Sequence, residues 1–181
     1  MIKPHIRKVE EALSGAPNLK AIKAAASVIT TVRDSGGMVW AVGNGGSAAI
    51  AQHFAQDLLK ACGIRAQALN DVSVITAYSN DVAFSKCYEA PLKALWRQGL
   101  DAIFIFSCSG KSRNVESLAH IFSPCVAIVG TDGGTLAKDS DIHIHVRSEE
   151  YDVCETAFSV VSDLLVREVF KKRSYKRRKS K

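Results

Sequence analysis

The sequence predicts an α/β fold: a single three-layer α/β/α domain in which helices cover both faces of a five-stranded parallel sheet. Short apolar runs of four or five residues alternate with longer segments of helical periodicity along nearly the whole chain. The chain of 181 residues is long enough for one full domain and too short for two ordinary ones. No Pro-rich or low-complexity linker divides it, so we expect one domain over residues 1–170.

Five short apolar segments predict the strands of the sheet. They cover residues 38–42, 65–69, 102–106, 126–129 and 142–146. Apolar runs of this length are typical of parallel strands, because both faces of such strands are buried under helices. The loops that follow the strands then share the edge at which ligands of such folds bind.

Segments with apolar residues at three- and four-residue intervals predict the helices. They cover residues 19–35, 47–61, 84–97, 113–122 and 152–170. The first segment begins its apolar stripe with Leu19 and Ile22, and Gly36-Gly37 ends it. Residues 1–36 therefore form an N-terminal helical extension ahead of the first strand.

Positive charge is concentrated at the end of the chain. The formal net charge is +6, but residues 171–181 hold eight basic residues and no acidic one, so the remainder carries −2. A run of this kind is usually a solvated end of the chain. We expect a basic C-terminal tail, a mildly acidic body and no nucleic-acid partner.

The composition also limits where the protein acts. No stretch approaches the roughly 20 apolar residues of a membrane span, and the N-terminus lacks the apolar core of a signal peptide. Five cysteines are odd in number and never form Cys-x-x-Cys, which argues against a disulfide framework or a zinc knuckle. We expect a cytoplasmic protein with no membrane partner.

The loop after the third strand is the most informative about function. Residues 107–112 read Ser-Cys-Ser-Gly-Lys-Ser and follow the apolar run 102–106 directly. Three hydroxyl groups, a glycine that permits close approach and unpaired N–H groups at a helix start form a cradle for an anion. An ordinary strand-to-helix turn with a Ser cap is the alternative. The first glycine of a nucleotide P-loop is missing, so a small phosphate monoester is favoured over a nucleotide.

A second glycine-rich loop follows the first strand. Residues 43–47 read Gly-Asn-Gly-Gly-Ser, which indicates a backbone that wraps closely around a ligand, with Asn44 and Ser47 as polar groups. Alone, this pattern is also typical of a tight strand–helix turn. Because it lies at the same edge of the predicted sheet as 107–112, the two loops together predict a binding site.

The chain resembles the sugar isomerase (SIS) family, and within it the phosphoheptose isomerase group. The resemblance extends in family order over nearly the whole chain. The matching stretches are residues 43–49, 53–58, 71–73, 80–81, 107–112, 131–134 and 141–142. It implies aldose–ketose isomerisation of a sugar phosphate such as sedoheptulose 7-phosphate. It also implies a homotetramer with sites between subunits, in which the N-terminal helices pack.

The resemblance assigns substrate-binding roles to residues of the two loops. Ser107, Ser109 and Ser112 would hold the phosphate, while Asn44, Ser47 and Asp81 would meet sugar hydroxyls. Gly45, Cys108 and Glu155 complete the implied substrate-binding set. Family members commonly have Thr in place of Cys108, so this thiol either fills the Thr position or, at a helix start, is an activated thiolate.

The proton-transfer residues depart from the family pattern. The reaction needs a base that moves a proton between adjacent carbons and an acid that assists at oxygen. In the family a Glu serves as the base, four residues after the His of His-Phe-Ala. This chain has Asp57 at that position, one helical turn after His53. The resemblance therefore implies His53 and Asp57 as catalytic residues.

The last helix carries the other two positions of the catalytic set. The family has a Gln followed eight residues later by a His, and alignment of this helix places Glu155 and Asp163 there. A shift by one residue would place Cys154 and Ser162 there instead. We prefer the first alignment because it keeps residues 164–166 on apolar family positions, and we therefore include Asp163 in the catalytic set.

Some members of the group bind zinc through these four positions. Here the set would be His53, Asp57, Glu155 and Asp163, one imidazole and three carboxylates, which favours harder cations than zinc. The two acidic residues on the last helix are eight residues apart, about 12 Å along the axis. This separation makes a four-ligand zinc site harder to close. The only cofactor that the resemblance suggests is a divalent metal.

Two functions follow from these observations. The first is a sugar-phosphate isomerase with Asp57 as the base. The second is a non-catalytic phosphosugar-binding or protein-interaction module, since some relatives keep the fold and serve as partners of other proteins, including the replication initiator. The departures at Asp57 and Asp163 motivate the second hypothesis.

Overall fold

A computed structural model describes residues 2–14 and 16–179 of the chain. The five strands are β1 (Val39–Gly43), β2 (Ala66–Ala68), β3 (Ala102–Ser107), β4 (Cys125–Val129) and β5 (Ile142–His145). All neighbouring strands pair in parallel, in the order β2-β1-β3-β4-β5. The strand order reverses between β1 and β3, and the carboxyl ends of two such strands form a crevice for ligands.

Nine α-helices surround this sheet within the described residues. They are α1 (Ile2–Leu13), α2 (Ala16–Asp34), α3 (Gly46–Cys62), α4 (Val72–Asp81), α5 (Glu89–Leu95), α6 (Arg113–Glu116), α7 (Leu118–Ile121), α8 (Gly134–Asp139) and α9 (Tyr151–Lys179). A short 3₁₀ turn covers Phe84–Lys86. None of the described helices is both long and apolar enough to cross a membrane.

Two apolar cores lie on opposite faces of the sheet. Alternate residues of β1 show the division, because Val39 and Ala41 belong to one core and Trp40 and Val42 to the other. The first core joins the sheet to α2, α3 and α9, and the second joins it to α5, α7 and α8. The predicted α/β class and the three-layer arrangement are therefore confirmed.

The helices differ from the prediction in two places where periodicity carried little signal. Helix α4 has no buried residue. It begins because the Asp71 carboxylate accepts hydrogen bonds from the N–H groups of Ser73 and Val74. Helix α8 has only six residues, too few for an apolar stripe to be recognised.

Three predicted helices are divided or extended in the structure. The segment 84–97 divides into the 3₁₀ turn and α5, and Pro91 lies in the first turn of α5. The segment 113–122 divides at Ser117 into α6 and α7. Helix α9 continues to Lys179, whereas the sequence predicted an end at Phe170.

Candidate functional site

The loop 107–112 emerges from the carboxyl end of β3. Its backbone is organised by its own serines, because the N–H of Gly110 donates to Ser107 Oγ (3.1 Å) and that of Lys111 donates to Ser109 Oγ (3.2 Å). Gly110 has a φ of 62°, which favours glycine. Each hydroxyl oxygen accepts from the backbone and keeps its own hydrogen, so both serines can donate to an anion.

The loop after β4 supports the loop 107–112 from one side. A Cβ atom at Gly110 would overlap the carbonyl oxygen of Gly133, and one at Gly134 would overlap the backbone of residues 109–110. The carbonyl oxygen of Gly110 also accepts a hydrogen bond from Thr135 Oγ1 (3.1 Å). The two loops therefore touch backbone to backbone.

An exposed ion pair closes the same contact. Lys111 Nζ lies 2.6 Å from Asp132 Oδ2, and the hydrogen bond from Lys111 lowers the pKa of the Asp132 carboxyl. The same bond raises the pKa of the Lys111 ammonium. Because the Lys111 ammonium is already paired with Asp132, the hydroxyl groups of the loop are its remaining side-chain donors for an anion.

The loop 43–47 joins β1 to α3 and is linked to the first loop by an amide pair. Asn44 Nδ2 donates to Asn114 Oδ1 and Asn114 Nδ2 donates to Asn44 Oδ1, each at 2.8 Å. Asn114 belongs to α6, directly after the loop 107–112. Below this pair, the hydroxyl of buried Tyr88 donates to the carbonyl oxygen of Gly43. Burial raises the pKa of Tyr88 to about 12.

A second link between the loops involves sulfur. The thiol of Cys108 interacts with the buried hydroxyl of Ser47 and with the thiol of Cys154 in α9, and Cys154 Sγ also donates a hydrogen bond to the carbonyl oxygen of Ser148 at 3.3 Å. The neighbouring Cys154 thiol and burial raise the pKa of Cys108, whereas the Cys108 thiol lowers the pKa of Cys154 to about 7. A raised pKa favours the thiol form of Cys108 over an activated thiolate.

Glu155 places its carboxylate against the first residue of α3. A Cβ atom at Gly46 would overlap both carboxylate oxygens of Glu155. The N–H groups in the first turn of a helix have no intrahelical partner, and the helix dipole favours negative charge there. The carboxylate therefore lies at the edge of the sheet that carries the two loops.

His53 and Asp57 lie farther along α3 as a pair in which His53 is exposed and Asp57 is half-buried. His53 Nε2 is 3.3 Å from Asp57 Oδ2. The two residues follow Gly46 by seven and eleven positions, which is about 10 and 16 Å along the helix axis. Because α3 leads away from the carboxyl edge of the sheet, this pair is separated from the two loops of its own chain.

The other predicted site residues lie apart from the loops. Asp163 pairs with Arg167 at 3.1 Å on the exposed side of α9, and exposed Asp81 accepts a hydrogen bond from the side chain of Asn80 (2.8 Å) at the end of α4. Throughout the described part of the chain, no three His, Cys, Asp or Glu side chains are grouped as a metal site requires. A metal therefore does not fit these residues within one chain.

Comparison with known proteins identifies the fold. The SIS domain family matches residues 5–121. Phosphoheptose isomerase from Geotalea uraniireducens is 30% identical over 180 residues, which covers 91% of this chain and 93% of the relative. This chain belongs to the SIS family, in its phosphoheptose isomerase group. The corresponding protein of Methylococcus capsulatus is 37% identical over 155 residues, 78% of each chain.

Solved structures of SIS proteins agree with this assignment. The structure of phosphoheptose isomerase from Neisseria gonorrhoeae has a TM-score of 0.82 at 30% identity, with 93% of this chain and 94% of that chain covered. The enzyme from Francisella tularensis gives 0.84 at 28% identity, with 94% of each chain covered. The predicted SIS resemblance is confirmed.

The fold thus groups one set of predicted residues and separates another. The grouped residues lie at the carboxyl edge between β1 and β3; they are Asn44, Gly45, Ser47, Ser107, Cys108, Ser109, Ser112 and Glu155. Sequence reasoning missed Asn114 and the polar role of Tyr88. The position of Asn114 beside the serine loop was the available signal, whereas Tyr88 was indistinguishable from an apolar helix residue.

Proposed function

We propose that this protein is an isomerase that interconverts the ketose and aldose forms of a sugar phosphate, with sedoheptulose 7-phosphate as the expected substrate. The observation that carries the proposal is the junction of the two loops at the β1/β3 crevice. Hydroxyl donors of one loop suit a phosphate, and the Asn44 amide of the other suits sugar hydroxyls. The phosphoheptose isomerases to which the chain is similar support the same class of substrate.

Each loop has a distinct task in binding. Ser107, Ser109 and Ser112 donate hydrogen bonds to phosphate oxygens, and the glycine between them allows the backbone to approach the anion. Asn44 and the carboxylate of Glu155 lie on the β1 side of the crevice and orient the sugar chain. Phosphate binding therefore fixes one end of the substrate and leaves the other to the catalytic groups.

Asp57 is the proposed base and His53 its partner. The Asp57 carboxylate removes a proton from the carbon next to the carbonyl, which gives an enediolate, and returns it to the former carbonyl carbon. His53 donates a proton to the carbonyl oxygen and recovers one from the neighbouring hydroxyl, so the isomerisation has no net loss of protons. No step depends on a metal, and both the metal and the role of Asp163 stay predictions.

A second subunit is needed to bring these groups to the loops. Within one chain, Asp57 is about 16 Å along α3 from the loop 43–47. The outer faces of α3 and α9 expose large apolar side chains, as expected of a surface that another subunit covers. They are Leu59, Val160, Leu164 and Phe170. We therefore assign each active site to loops of one chain and the His53–Asp57 pair of another, in a homotetramer.

A direct assay tests the proposed reaction. Purified protein is incubated with five-, six- and seven-carbon ketose phosphates, and the aldose products are measured. We expect turnover with sedoheptulose 7-phosphate and its loss in Asp57→Asn, with substrate binding retained. Binding of sugar phosphates without turnover by the folded wild-type protein would instead support the non-catalytic module.

The cysteines support the expected cellular location. All five are buried in the structure, and none belongs to a disulfide bond within the described residues. Free thiols persist in reducing compartments, so we assign the protein to the cytoplasm.

A further inference from the structure

Asn114 has no assigned task in the proposed reaction, yet its side chain is completely buried against the loop 43–47. Its amide makes three hydrogen bonds. Two are the reciprocal bonds with Asn44 at 2.8 Å, and in the third Asn114 Nδ2 donates to the sulfur of Cys87 at 3.5 Å. A buried amide with both donor hydrogens and its acceptor engaged has one stable orientation.

The same bonds hold the Asn44 amide in one orientation. Asn44 is half-buried, and one of its N–H groups and its carbonyl oxygen are held by Asn114. The Tyr88 hydroxyl lies 3.5 Å from that carbonyl oxygen, which limits rotation further. Among the described residues, nothing accepts the second N–H of Asn44. That N–H is therefore held as a free donor at the mouth of the crevice.

We propose that Asn114 is a positioning residue that fixes the Asn44 amide for recognition of a sugar hydroxyl; this inference rests on the proposed function. Without Asn114, the Asn44 amide could rotate and present either its oxygen or its nitrogen to the substrate. Because Asn114 follows the serine loop and Asn44 follows β1, the pair also sets the spacing between the phosphate and sugar subsites. A misplacement of about 1 Å between such groups can lower the rate of catalysis about 100-fold.

Substitution of Asn114 by Leu removes the amide while keeping a similar volume. We expect Asn114→Leu to raise the KM for sedoheptulose 7-phosphate about tenfold, the cost of one misplaced hydrogen bond. Binding of inorganic phosphate, which uses only the serine loop, should stay unchanged in calorimetry. The double variant Asn44→Ala with Asn114→Leu should be no worse than Asn44→Ala alone, because both remove the same contact.

A second reciprocal pair in the chain provides the control. Asn18 Nδ2 donates to the carbonyl oxygen of His145 (2.9 Å), and the N–H of His145 donates to Asn18 Oδ1 (3.1 Å). Asn18→Leu should lower the melting temperature without changing the KM. If Asn114→Leu does not fold, Asn114→Asp, which keeps the acceptor but loses the donors, is measured in its place and should raise the KM in the same direction.

The outcomes separate the two proposals. Equal weakening of inorganic phosphate and sugar phosphate, or effects of Asn44 and Asn114 substitutions that simply add, would overturn the positioning role while the isomerase stands. Wild-type protein that neither binds nor converts any sugar phosphate would overturn the proposed function and this inference with it.

Discussion

At the scale of single residues, the contact between Gly46 and Glu155 connects local conformation to the site. Glycine at position 46 leaves space for the Glu155 carboxylate, which lies where a Cβ atom would be. The carboxylate is the end of a flexible side chain, so it can move if that space is filled. The residue at position 46 thus determines the position of the Glu155 carboxylate without changing the backbone conformation.

Gly46→Ala should therefore alter function more than stability. Alanine favours the helix, so we expect little change in melting temperature, while displacement of Glu155 changes the KM by about tenfold. Glu155→Ala should have the same effect, and the double variant should be no worse than either. Kinetics of the three variants test this, and an additive loss would contradict a shared cause.

The buried hydroxyl of Tyr88 gives a pH dependence. Burial raises its folded-state pKa to about 12, above the unfolded value of about 10. Stability from this group is complete below pH 10 and declines as the pH rises towards 12, by about 2–3 kcal/mol in all. Denaturant unfolding of wild type and Tyr88→Phe checks this, since their difference in unfolding free energy should shrink between pH 10 and 12. A constant difference would contradict it.

At the scale of elements, the serine loop is the part of the site that sequence identified best. Its hydroxyls, glycine and preceding apolar strand are all local features, so residues 107–112 could be recognised without knowledge of tertiary contacts. The contacts that this loop and its neighbours make with other parts of the chain could not be recognised in this way. The loop after β4 meets the serine loop because β4 lies beside β3, and Asn114 meets Asn44 because β1 lies on the other side of β3, so both contacts are properties of strand order.

Helix prediction succeeded and failed for the same kind of reason. Segments such as 47–61 pack one apolar face on the sheet and were predicted within one residue of α3 (Gly46–Cys62). Helix α4 has no fully buried residue and packs only Ile75 and Tyr78, both partly buried, against the second core, so no clear periodicity marked it. The family and the class of sugar-phosphate isomerase, predicted from the ordered stretches, are confirmed by the relatives.

Loss of one loop hydroxyl should weaken phosphate binding directly. In Ser109→Ala the side chain no longer donates to the anion or accepts from the N–H of Lys111. We expect about tenfold weaker binding of both inorganic phosphate and sedoheptulose 7-phosphate, measured by calorimetry. Ser14→Ala, which removes a hydroxyl bonded to the carbonyl oxygen of Glu11 in the N-terminal region, is the matched control and should bind normally. Unchanged phosphate affinity in Ser109→Ala would exclude this loop as the anion site.

At the scale of the whole molecule, a site shared between subunits can be tested by mixing inactive variants. Ser109→Asp blocks one loop with a negative charge, and Asp57→Asn removes the base. Each variant alone should be inactive, whereas co-expressed subunits should recover about a quarter of wild-type activity, because that share of shared sites is intact. Mixed oligomers, verified by mass, that show no recovery would place the whole site in one chain.

The basic tail should be dispensable for the core functions. Within residues 151–171, the part of α9 whose burial is described, the last completely buried residue is Val169. A protein that ends at Lys171 should keep its melting temperature and its affinity for sugar phosphate, measured by calorimetry. Dissociation of the oligomer or loss of binding would show that the tail is structural.

The backbone contact between Gly110 and residues 133–134 has a consequence for protein engineering. Each loop occupies the space that a side chain of the other would fill, so the conformation of each loop depends on the other. If residues 107–112 alone were grafted onto another scaffold, the loop would lose the backbone contact that supports its conformation. A graft should therefore include the segment 130–135, and mutagenesis libraries should vary both segments together.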